Sequence, residues 1–344
     1  MNKKFLAGGA AVALAGFGIY KIVRSQQNDG KDRQEVWTTA DMPEMSGKVI
    51  IVTGGNSGVG YEAAKEFARK GAQTILACRN MDKAQAALAM IKAEIPAAAA
   101  EIMELDLASL ASVQQFAADF KAEYERLDVL VNNAGIMMVP YQTTEDGFES
   151  QFATNHLGHF ALTGLLSDLL LKTPGSRVVN ISSIGHRSGT MDFGNLMYEG
   201  GLDYDAQAAY SRSKLANILF TNELQRRYEA AGADAIAVAA HPGLSFTNLS
   251  SHMYDRWYYS IAIPLSKLYL QSAAMGALPT LRAAADPNVQ GGEYYGPDGR
   301  GERRGYPVIV QASDACHNLA DARQLWQDSE ELTGVSFLDL EPVV

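Results

Sequence analysis

The chain has 344 residues, of which 47% are hydrophobic and 20% charged, a composition typical of a globular enzyme with ample apolar material for a core. Its formal net charge of -10 argues against a nucleic-acid-binding protein, which needs a basic surface to neutralise phosphates. Two cysteines, Cys78 and Cys316, are too few for a disulfide framework or a metal cluster, so we expect reduced thiols in a reducing compartment.

The first 24 residues differ in composition from the rest of the chain. Basic residues flank an apolar run at residues 5–20, a pattern typical of a signal peptide or a short membrane anchor. The run is short for a full span, so a loosely attached surface helix is an alternative. Residues 25–45 are predicted to form a linker because they are largely polar and show no periodicity.

The segment from Val49 to Gly60 predicts a strand, a glycine-rich turn and the start of a helix. Its unbroken β-branched run is typical of a strand buried on both faces of a parallel sheet. Glycines let the backbone approach a pyrophosphate, and the free N–H groups of the helix start point at the anion. The residues of this predicted phosphate cradle are Gly54, Asn56, Ser57, Gly58 and Gly60.

Strands and helices then alternate along the chain. The predicted segments are a strand at residues 73–78, a helix from Asn80 to Pro96, a strand ending at 105–106, a helix through Val113 and Tyr124, a strand at 127–131, a helix at 148–171, a strand at 177–181, a helix at 210–227 and a strand at 235–240. Strict alternation with short connections predicts an α/β protein with a doubly wound parallel sheet, the Rossmann fold, as a single domain at residues 46–344.

The end of the second predicted strand indicates which dinucleotide binds. An acidic residue there binds the adenosine ribose hydroxyls, whereas an arginine accommodates a 2′-phosphate. This chain has Arg79 and no carboxylate until Asp82, and guanidinium geometry suits phosphate. Arg79 therefore favours NADP(H) over NAD, with a solvated loop charge as the alternative. Asp106 ends the third strand, where it meets the adenine or caps the next helix; both possibilities stay open.

Three side chains are predicted to converge at the carboxyl edge of the sheet. Ser183 follows the fifth strand, at the edge where ligands bind in open parallel sheets. Tyr210 and Lys214 lie four residues apart, on one face of the next helix. Tyr61 and Lys65 have the same spacing, but only the later pair follows the strand that carries Ser183.

These residues suit acid–base chemistry on a carbonyl group. The phenol of Tyr210 titrates near pH 10 on model values, and an adjacent Lys214 ammonium with a positive nicotinamide is expected to lower that pKa. Ser183 would hydrogen-bond the carbonyl or alkoxide oxygen. Asn155, a mediocre helix former inside the long helix, could hold a water linked to Lys214.

The histidines do not predict a metal site. His156 and His159 could share a helix face, but no third ligand with suitable spacing follows them. His186, shortly after Ser183, is expected either to touch the substrate or to line a loop.

Six motifs occur in order: Thr53-Gly54-x-x-x-Gly58-x-Gly60, Asn132-Asn133-Ala134-Gly135, Asn155, Ser183, Tyr210-x-x-x-Lys214 and His241-Pro242-Gly243. In this combination the chain resembles the short-chain dehydrogenase/reductase superfamily over about residues 46–335. The segments 77–80, 155–160 and 214–217 look like the retinol dehydrogenase group within it.

The resemblance implies hydride transfer between NADP(H) and an alcohol/carbonyl pair, with NAD as the less favoured cofactor. It implies a catalytic tetrad of Asn155, Ser183, Tyr210 and Lys214, in which Lys214 also holds the nicotinamide ribose. It also implies that further cofactor contacts come from Asn133 near the adenosine ribose and from Pro242, Gly243 and Thr247, the last near the nicotinamide amide.

The substrate side is expected at residues 244–270, which are dense in large apolar groups. A small C-terminal lid over a hydrophobic substrate, contact with a membrane or partner subunit, and packing against the body all explain this composition. Loop residues Met137, Met138, Met191 and Phe193 favour an apolar, adaptable pocket. The resemblance suggests a small apolar substrate such as a retinoid, a steroid or a fatty aldehyde.

Two functions of different classes remain. The first is an NADP-dependent oxidoreductase, and the second is a catalytically silent NADP-binding scaffold or redox sensor. The intact tetrad favours the first. Because reduced nicotinamides are kept inside cells, we expect residues 5–20 to be an uncleaved anchor and the catalytic domain to face the cytoplasm. The sequence leaves a homo-oligomer open.

Overall fold

The structure is a computed structural model that describes residues 36–245 and 270–337. Among these residues no helix is long and apolar enough to cross a membrane. The predicted anchor at residues 1–24 and most of the predicted lid lie outside the described ranges.

In the described ranges eight strands form one sheet. They are β1 (Val49–Thr53), β2 (Gln73–Cys78), β3 (Ala100–Glu104), β4 (Val129–Asn132), β5 (Ser176–Ile181), β6 (Ala235–Ala240), β7 (Tyr294–Pro297) and β8 (Pro307–Ile309). Their order is β3-β2-β1-β4-β5-β6-β7-β8, parallel throughout except for β8, which runs antiparallel to β7. The chain changes direction across the sheet between β1 and β4, which opens a crevice at their carboxyl ends.

Helices cover both faces of the sheet. They are α1 (Gly58–Arg69), α2 (Met81–Glu94), α3 (Leu110–Glu123), α4 (a continuous helix of the segments Ser150–Phe152, Ala153–Leu157 and Gly158–Leu165), α5 (Ser167–Lys172), α6 (Ala206–Ala230), α7 (Ala273–Ala285) and α8 (Leu319–Thr333). Side chains of Asn80, Ser109 and Asp205 accept backbone N–H groups at the starts of α2, α3 and α6, which fixes where these helices begin.

The β-branched run of β1 divides its side chains between two cores. Ile50 and Val52 pack with α1, α2 and α7, while Val49 and Ile51 pack with α3, α4, α6 and α8. Alternation along a strand sends neighbouring side chains to opposite faces, so a strand covered on both sides must be apolar throughout. The predicted doubly wound parallel sheet is confirmed.

Two features of the sheet and its helices differ from the sequence prediction. The predicted helix at 148–171 is divided into two, because α4 ends at Leu165 and α5 begins at Ser167. Within α4, a π-helical turn occupies Ala153–Leu157. The strands β7 and β8 were not predicted, since they contain only 4 and 3 residues.

The folded unit begins at Trp37, so residues 37–45 of the predicted linker at 25–45 belong to it. Trp37, Met42 and Met45 are buried in the core. The Lys70 ammonium donates to the carbonyl of Met42 at 2.7 Å, and the Met45 N–H donates to the carbonyl of Lys70, also at 2.7 Å. Three buried apolar residues, although they show no regular spacing, are enough to attach residues 37–45 to the domain.

An aromatic cluster joins α8 to the sheet-facing helices. The Trp326 ring lies 5.2 Å from Phe160 of α4 and 5.8 Å from Phe220 of α6, measured between ring centroids. His156 lies beside this cluster, 5.9 Å from Phe220, and burial lowers its pKa to about 3. The imidazole is therefore neutral in the folded protein throughout the physiological range.

The unfolded chain takes up a proton at this histidine near pH 6.5, but the folded protein does not. The neutral His156 therefore contributes fully to the free energy of unfolding above pH 6.5, and this contribution is lost as the pH falls toward 3. We expect His156→Phe to gain about 2 kcal/mol in free energy of unfolding, relative to the unmodified protein, when the pH falls from 8 to 5. Chemical denaturation at both pH values measures this difference.

The exposed His317 supplies the matched control, because His317→Phe removes an imidazole that is already solvated. That variant should differ from the unmodified protein by the same amount at both pH values. If His156→Phe also showed no change with pH, the buried imidazole would be taking up its proton normally in the folded state.

Candidate active site

The carboxyl ends of β1, β4, β5 and β6 lie in register along one edge of the sheet. Val52 pairs with Val131, Val131 with Val179, and Ile181 with Ala240. A cleft of about 970 Å³, open to solvent, lies at this edge. It is lined by Gly54, Asn56, Ser57, Gly58, Val59, Gly60, Asn133, Ala134, Gly135, Ile136, Ile181, Ser182, Tyr210, Lys214 and Pro242.

The glycine turn and the start of α1 form one wall of the cleft. Ser57 is the N-cap residue of α1, and its hydroxyl accepts no capping N–H from the described helix. The first backbone N–H groups of the helix are thus available to an anion. A Cβ atom on Gly60 would overlap the side-chain amide of Asn133 and lie 2.6 Å from the carbonyl oxygen of Gly54. This close approach requires glycine at position 60.

The hydroxyl of Thr53 ties this wall to the neighbouring strand and to α4. It accepts the N–H groups of Asn133 and Ala134, both at 2.9 Å, and lies 2.9 Å from Nε2 of His159. The other ring nitrogen of His159 lies 3.1 Å from the carbonyl of Asn155. The buried His159 therefore connects the glycine turn to the π-helical turn of α4.

The side chain of Asn155 connects the loop after β4 to α6. Its Oδ1 accepts the N–H of Ile136 at 2.8 Å, and its Nδ2 donates to the carbonyl of Ile136 at 3.0 Å and to the Ser213 hydroxyl at 2.9 Å. The expected role, holding a water for Lys214, is not tested by these contacts. They show instead that the amide supports the loop beside the cleft.

Tyr210 lines the cleft, and the Ser183 side chain lies beside it: a Cβ atom on Gly185 would lie 3.5 Å from the Ser183 hydroxyl oxygen and 3.3 Å from the Tyr210 ring. The Ser183 oxygen accepts the N–H of Gly185 at 3.1 Å, because Ser183 caps a short 3₁₀ turn, Ile184–Ser188. Tyr210 is buried, and burial raises its pKa, while the neighbouring Ser183 side chain opposes that rise.

Lys214 lies below Tyr210, one helical turn further along α6. Its ammonium donates to the carbonyl of Ile181 at 3.0 Å and lies 5.8 Å from the centre of the Tyr210 ring. Burial lowers the pKa of Lys214 to about 8. In the protein alone the pKa of Tyr210 is raised by burial, whereas the expected lowering by Lys214 together with the positive nicotinamide stays a prediction.

Arg79 and Asp106 lie together at the ends of β2 and β3. Their side chains approach to 3.8 Å, with Arg79 70% exposed. The cleft-lining residues of the described chain do not include Arg79. Asp106 accepts the N–H of Ala108 at 3.0 Å, and Ser109 caps α3, so the helix-capping interpretation of Asp106 is wrong. The adenine interpretation stays a prediction.

The remaining predicted residues fall in three groups. Pro242 lines the cleft, and Gly243 follows it with φ +61°. Thr247 and residues 246–269 of the predicted lid lie outside the described residues. Met191 and Phe193 are half-buried and pack against the cluster formed by α4, α6 and α8, and their expected place in an apolar pocket stays a prediction.

Sequence reasoning missed the residues that support the site from behind. The sequence indicates Thr53 only as part of the glycine motif, and it gives His159 no role as a metal ligand. In the described part of the chain, no group of three or more His, Cys, Asp or Glu residues is placed to hold a metal ion. The only signal for these two residues in the sequence is their position: Thr53 directly precedes the glycine turn, and His159 follows Asn155 by one helical turn.

Comparisons with known proteins agree with this geometry. Residues 48–256 match the family described as short chain dehydrogenase. Human retinol dehydrogenase 13 is 42% identical over 294 residues, which cover 84% of this chain and 85% of that protein. Mouse retinol dehydrogenase 14 is 38% identical over 346 residues, covering 96% of this chain and 99% of that protein.

A solved structure is also similar. The crystal structure of an uncharacterized protein from Mycobacterium Paratuberculosis is 41% identical and covers 90% of this chain and 100% of its own, with a TM-score of 0.73. A short chain dehydrogenase from Shigella flexneri, described as complexed with NADP, is 24% identical, covers 74% of this chain and 98% of its own, has a TM-score of 0.57, and shows the fold alone.

The contact at Gly60 gives a direct test of the phosphate cradle. We expect Gly60→Ala to displace the glycine turn and to weaken NADPH binding by at least about tenfold, or about 1.4 kcal/mol. Fluorescence titration of NADPH against the purified variant measures this change.

Gly194→Ala is the matched control, because a Cβ atom there meets only an ordinary contact, 3.5 Å from Asp192. This variant should bind NADPH as the unmodified protein does. Equal affinity in Gly60→Ala would mean that the cofactor does not rest on this turn.

Proposed function

The chain belongs to the short chain dehydrogenase family, and on that premise we propose that it transfers hydride between NADP(H) and an apolar alcohol/carbonyl pair. The observation that carries the proposal is the placement of Tyr210 and Lys214, one helical turn apart on α6, in the same cleft as the glycine turn, with the Ser183 side chain beside Tyr210. A nucleotide-binding scaffold has no need of this arrangement.

Two features support a dinucleotide. The α1 start and the close-packed Gly60 offer N–H groups to a pyrophosphate. Arg79 is exposed at the end of β2, the position at which an arginine accommodates a 2′-phosphate in dinucleotide-binding folds. Its guanidinium is held loosely, 3.8 Å from Asp106, so it can turn toward a phosphate. These features support NADP(H) as the cofactor.

When bound, the nicotinamide supplies or accepts the hydride. Tyr210 would donate its phenolic proton to the carbonyl oxygen during reduction and take it back during oxidation. The Ser183 hydroxyl, whose oxygen already accepts the Gly185 N–H, would donate to the same substrate oxygen. With a pKa of about 8, Lys214 is mostly protonated at pH 7, so its ammonium stabilises the phenolate that Tyr210 becomes.

An apolar substrate is supported by the side chains around the reacting groups. Ile136, Ile181 and Pro242 line the cleft next to Tyr210. Two similar proteins are named retinol dehydrogenases, and retinol is itself a long apolar alcohol. We therefore propose the retinoids as the first class to assay, with steroids and fatty aldehydes beside them.

The redox-sensor alternative is not favoured by either cysteine. Burial raises the pKa of Cys78 to about 11, and burial also raises the pKa of Cys316. Sensor cysteines react as thiolates, so both residues would be poorly reactive at neutral pH.

Tyr210→Phe tests the mechanism. Removing the hydroxyl should lower kcat for retinaldehyde reduction by a factor on the order of 10³, while NADPH affinity changes less than about twofold. Steady-state kinetics with retinaldehyde, a steroid ketone and a fatty aldehyde, together with NADPH titration, measure both quantities.

Tyr61→Phe is an unusually close control. Tyr61 also precedes a lysine by four residues, and the Lys65 ammonium lies 5.6 Å from its ring centre, almost as in the site. This pair lies on α1, away from Ser183, so turnover should be unchanged. Full activity in Tyr210→Phe would refute the proposed acid–base role.

Arg79→Asp tests the choice of cofactor. We expect the Michaelis constant for NADPH to rise by at least about tenfold and the discrimination against NADH to be relieved, because a carboxylate repels the 2′-phosphate and suits free ribose hydroxyls. Kinetics with both cofactors at one substrate concentration measure the change.

Arg323→Asp, an equal charge change at an exposed position of α8, controls for the altered net charge. It should leave the cofactor preference as it was. If Arg79→Asp behaved like this control, the 2′-phosphate would have to be bound elsewhere.

A further inference from the structure

His186 is fully buried directly behind the candidate catalytic serine. It lies in the 3₁₀ turn that Ser183 caps, and its Nδ1 is 2.6 Å from the carbonyl oxygen of Ser183. Its Nε2 accepts the N–H of Ser313 at 3.2 Å. A carbonyl can only accept and a backbone N–H can only donate, so these two contacts fix the tautomer. The imidazole carries its hydrogen on Nδ1 and is neutral.

We infer that His186 is a positioning residue, whose Nδ1–H holds the Ser183 carbonyl and thereby directs the Ser183 hydroxyl at Tyr210, with the Ser313 backbone selecting the required tautomer. This inference rests on the proposed function, since it names what orients a group of that site. It assigns His186 a role behind the serine, in place of the substrate contact or loop lining expected from the sequence.

The contacts of Ser183 explain why its carbonyl matters. The carbonyl also accepts the backbone N–H of His186 at 3.0 Å, and the side-chain oxygen accepts the Gly185 N–H at 3.1 Å. The bond from the Gly185 N–H occupies one lone pair of the Ser183 hydroxyl oxygen and so ties the side chain to the backbone turn. Rotation of the peptide at Ser183 therefore moves the hydroxyl hydrogen relative to Tyr210. The short imidazole contact limits that rotation.

The groups that face His186 keep it neutral. Burial is the largest cause that lowers the His186 pKa, and the hydrogen bond to the Ser183 carbonyl opposes it. Arg187 on its own turn and His241 from the end of β6 lower the pKa further. Glu302 opposes them but is paired with both Arg187 and His241. From β7, the Tyr294 hydroxyl lies 3.4 Å from Nδ1.

Two further groups of this surrounding are neutral as well. Burial raises the pKa of Tyr294 well above its ordinary value and also raises that of Cys316, which contacts the Ser313 hydroxyl. Protonation of His186 would place a hydrogen on Nε2, against the Ser313 N–H. The arrangement therefore fails only below the ordinary histidine pKa.

Three substitutions separate the two contacts. His186→Asn places an amide near the position of Nδ1 and keeps the donor to Ser183. His186→Gln reaches the position of Nε2 and keeps only the acceptor for Ser313. His186→Phe keeps the volume and loses both contacts. We expect kcat to fall on the order of tenfold in the Gln and Phe variants, with KM nearly unchanged and most activity kept in the Asn variant.

The pH profile distinguishes positioning from packing. The unmodified enzyme should lose kcat on the acid side, below pH 6.5, as His186 is protonated. This acid limb should be missing from His186→Asn, which has no group to titrate there. Equal kcat in the Asn and Phe variants, or an unchanged acid limb in the Asn variant, would overturn the inference.

Two NMR measurements do not depend on turnover. The ¹⁵N shifts of His186 should show a protonated Nδ1 and a bare Nε2 at pH 7, and an Nε2–H tautomer would overturn the inference. The ¹³Cζ resonance of Tyr210 should titrate at higher pH in the Gln and Phe variants but not in the Asn variant. In the Gln and Phe variants the Ser183 hydroxyl, which lowers the Tyr210 pKa, would be misdirected. If no carbonyl compound were turned over, the proposed function would fail while these readings still decided the role of His186.

Discussion

The hydroxyl of Thr53 is the point on which the geometry of the site depends. It sits where β1 becomes the glycine turn and accepts two N–H groups of the loop after β4. Through His159 it also reaches the carbonyl of Asn155, in the π-helical turn of α4. One oxygen atom thus sets the distance between the glycine turn, the proposed phosphate site, and the helix α4 beside the candidate catalytic residues. Fully satisfied buried networks of this kind make a site rigid.

Most of the fold could be predicted from the sequence because its causes are local. The β-branched run at Val49–Thr53 is stable only when other elements cover both of its faces. Asn80 fixes the start of α2, because its side chain accepts the backbone N–H of Lys83. The strand β8 could not be predicted, since 3 residues carry no period and pair only because β7 lies beside them. The attachment of Trp37 to the domain could not be predicted for the same reason, because it depends on core residues that are distant in the sequence.

The candidate site divides in a similar way. Ser183, Tyr210 and Lys214 could be proposed from the sequence because acid–base chemistry demands particular side chains in a recognisable order. The contacts of His186 and Thr53 could not be predicted, since they are made to backbone atoms and no spacing rule describes them. The sign of the Tyr210 pKa shift was also beyond reach, because it depends on how completely the fold encloses the phenol.

The aromatic contact between α8 and the catalytic helices bears on how the protein is made in the cell. Trp326 is synthesised long after Phe160 and Phe220, yet it covers both rings. A nascent chain that has not reached α8 therefore exposes two buried aromatic side chains on otherwise complete strands and helices. Such transient apolar surface promotes aggregation and is what chaperones bind. We therefore expect the nascent chain to need protection until α8 emerges, long after the glycine turn has been translated.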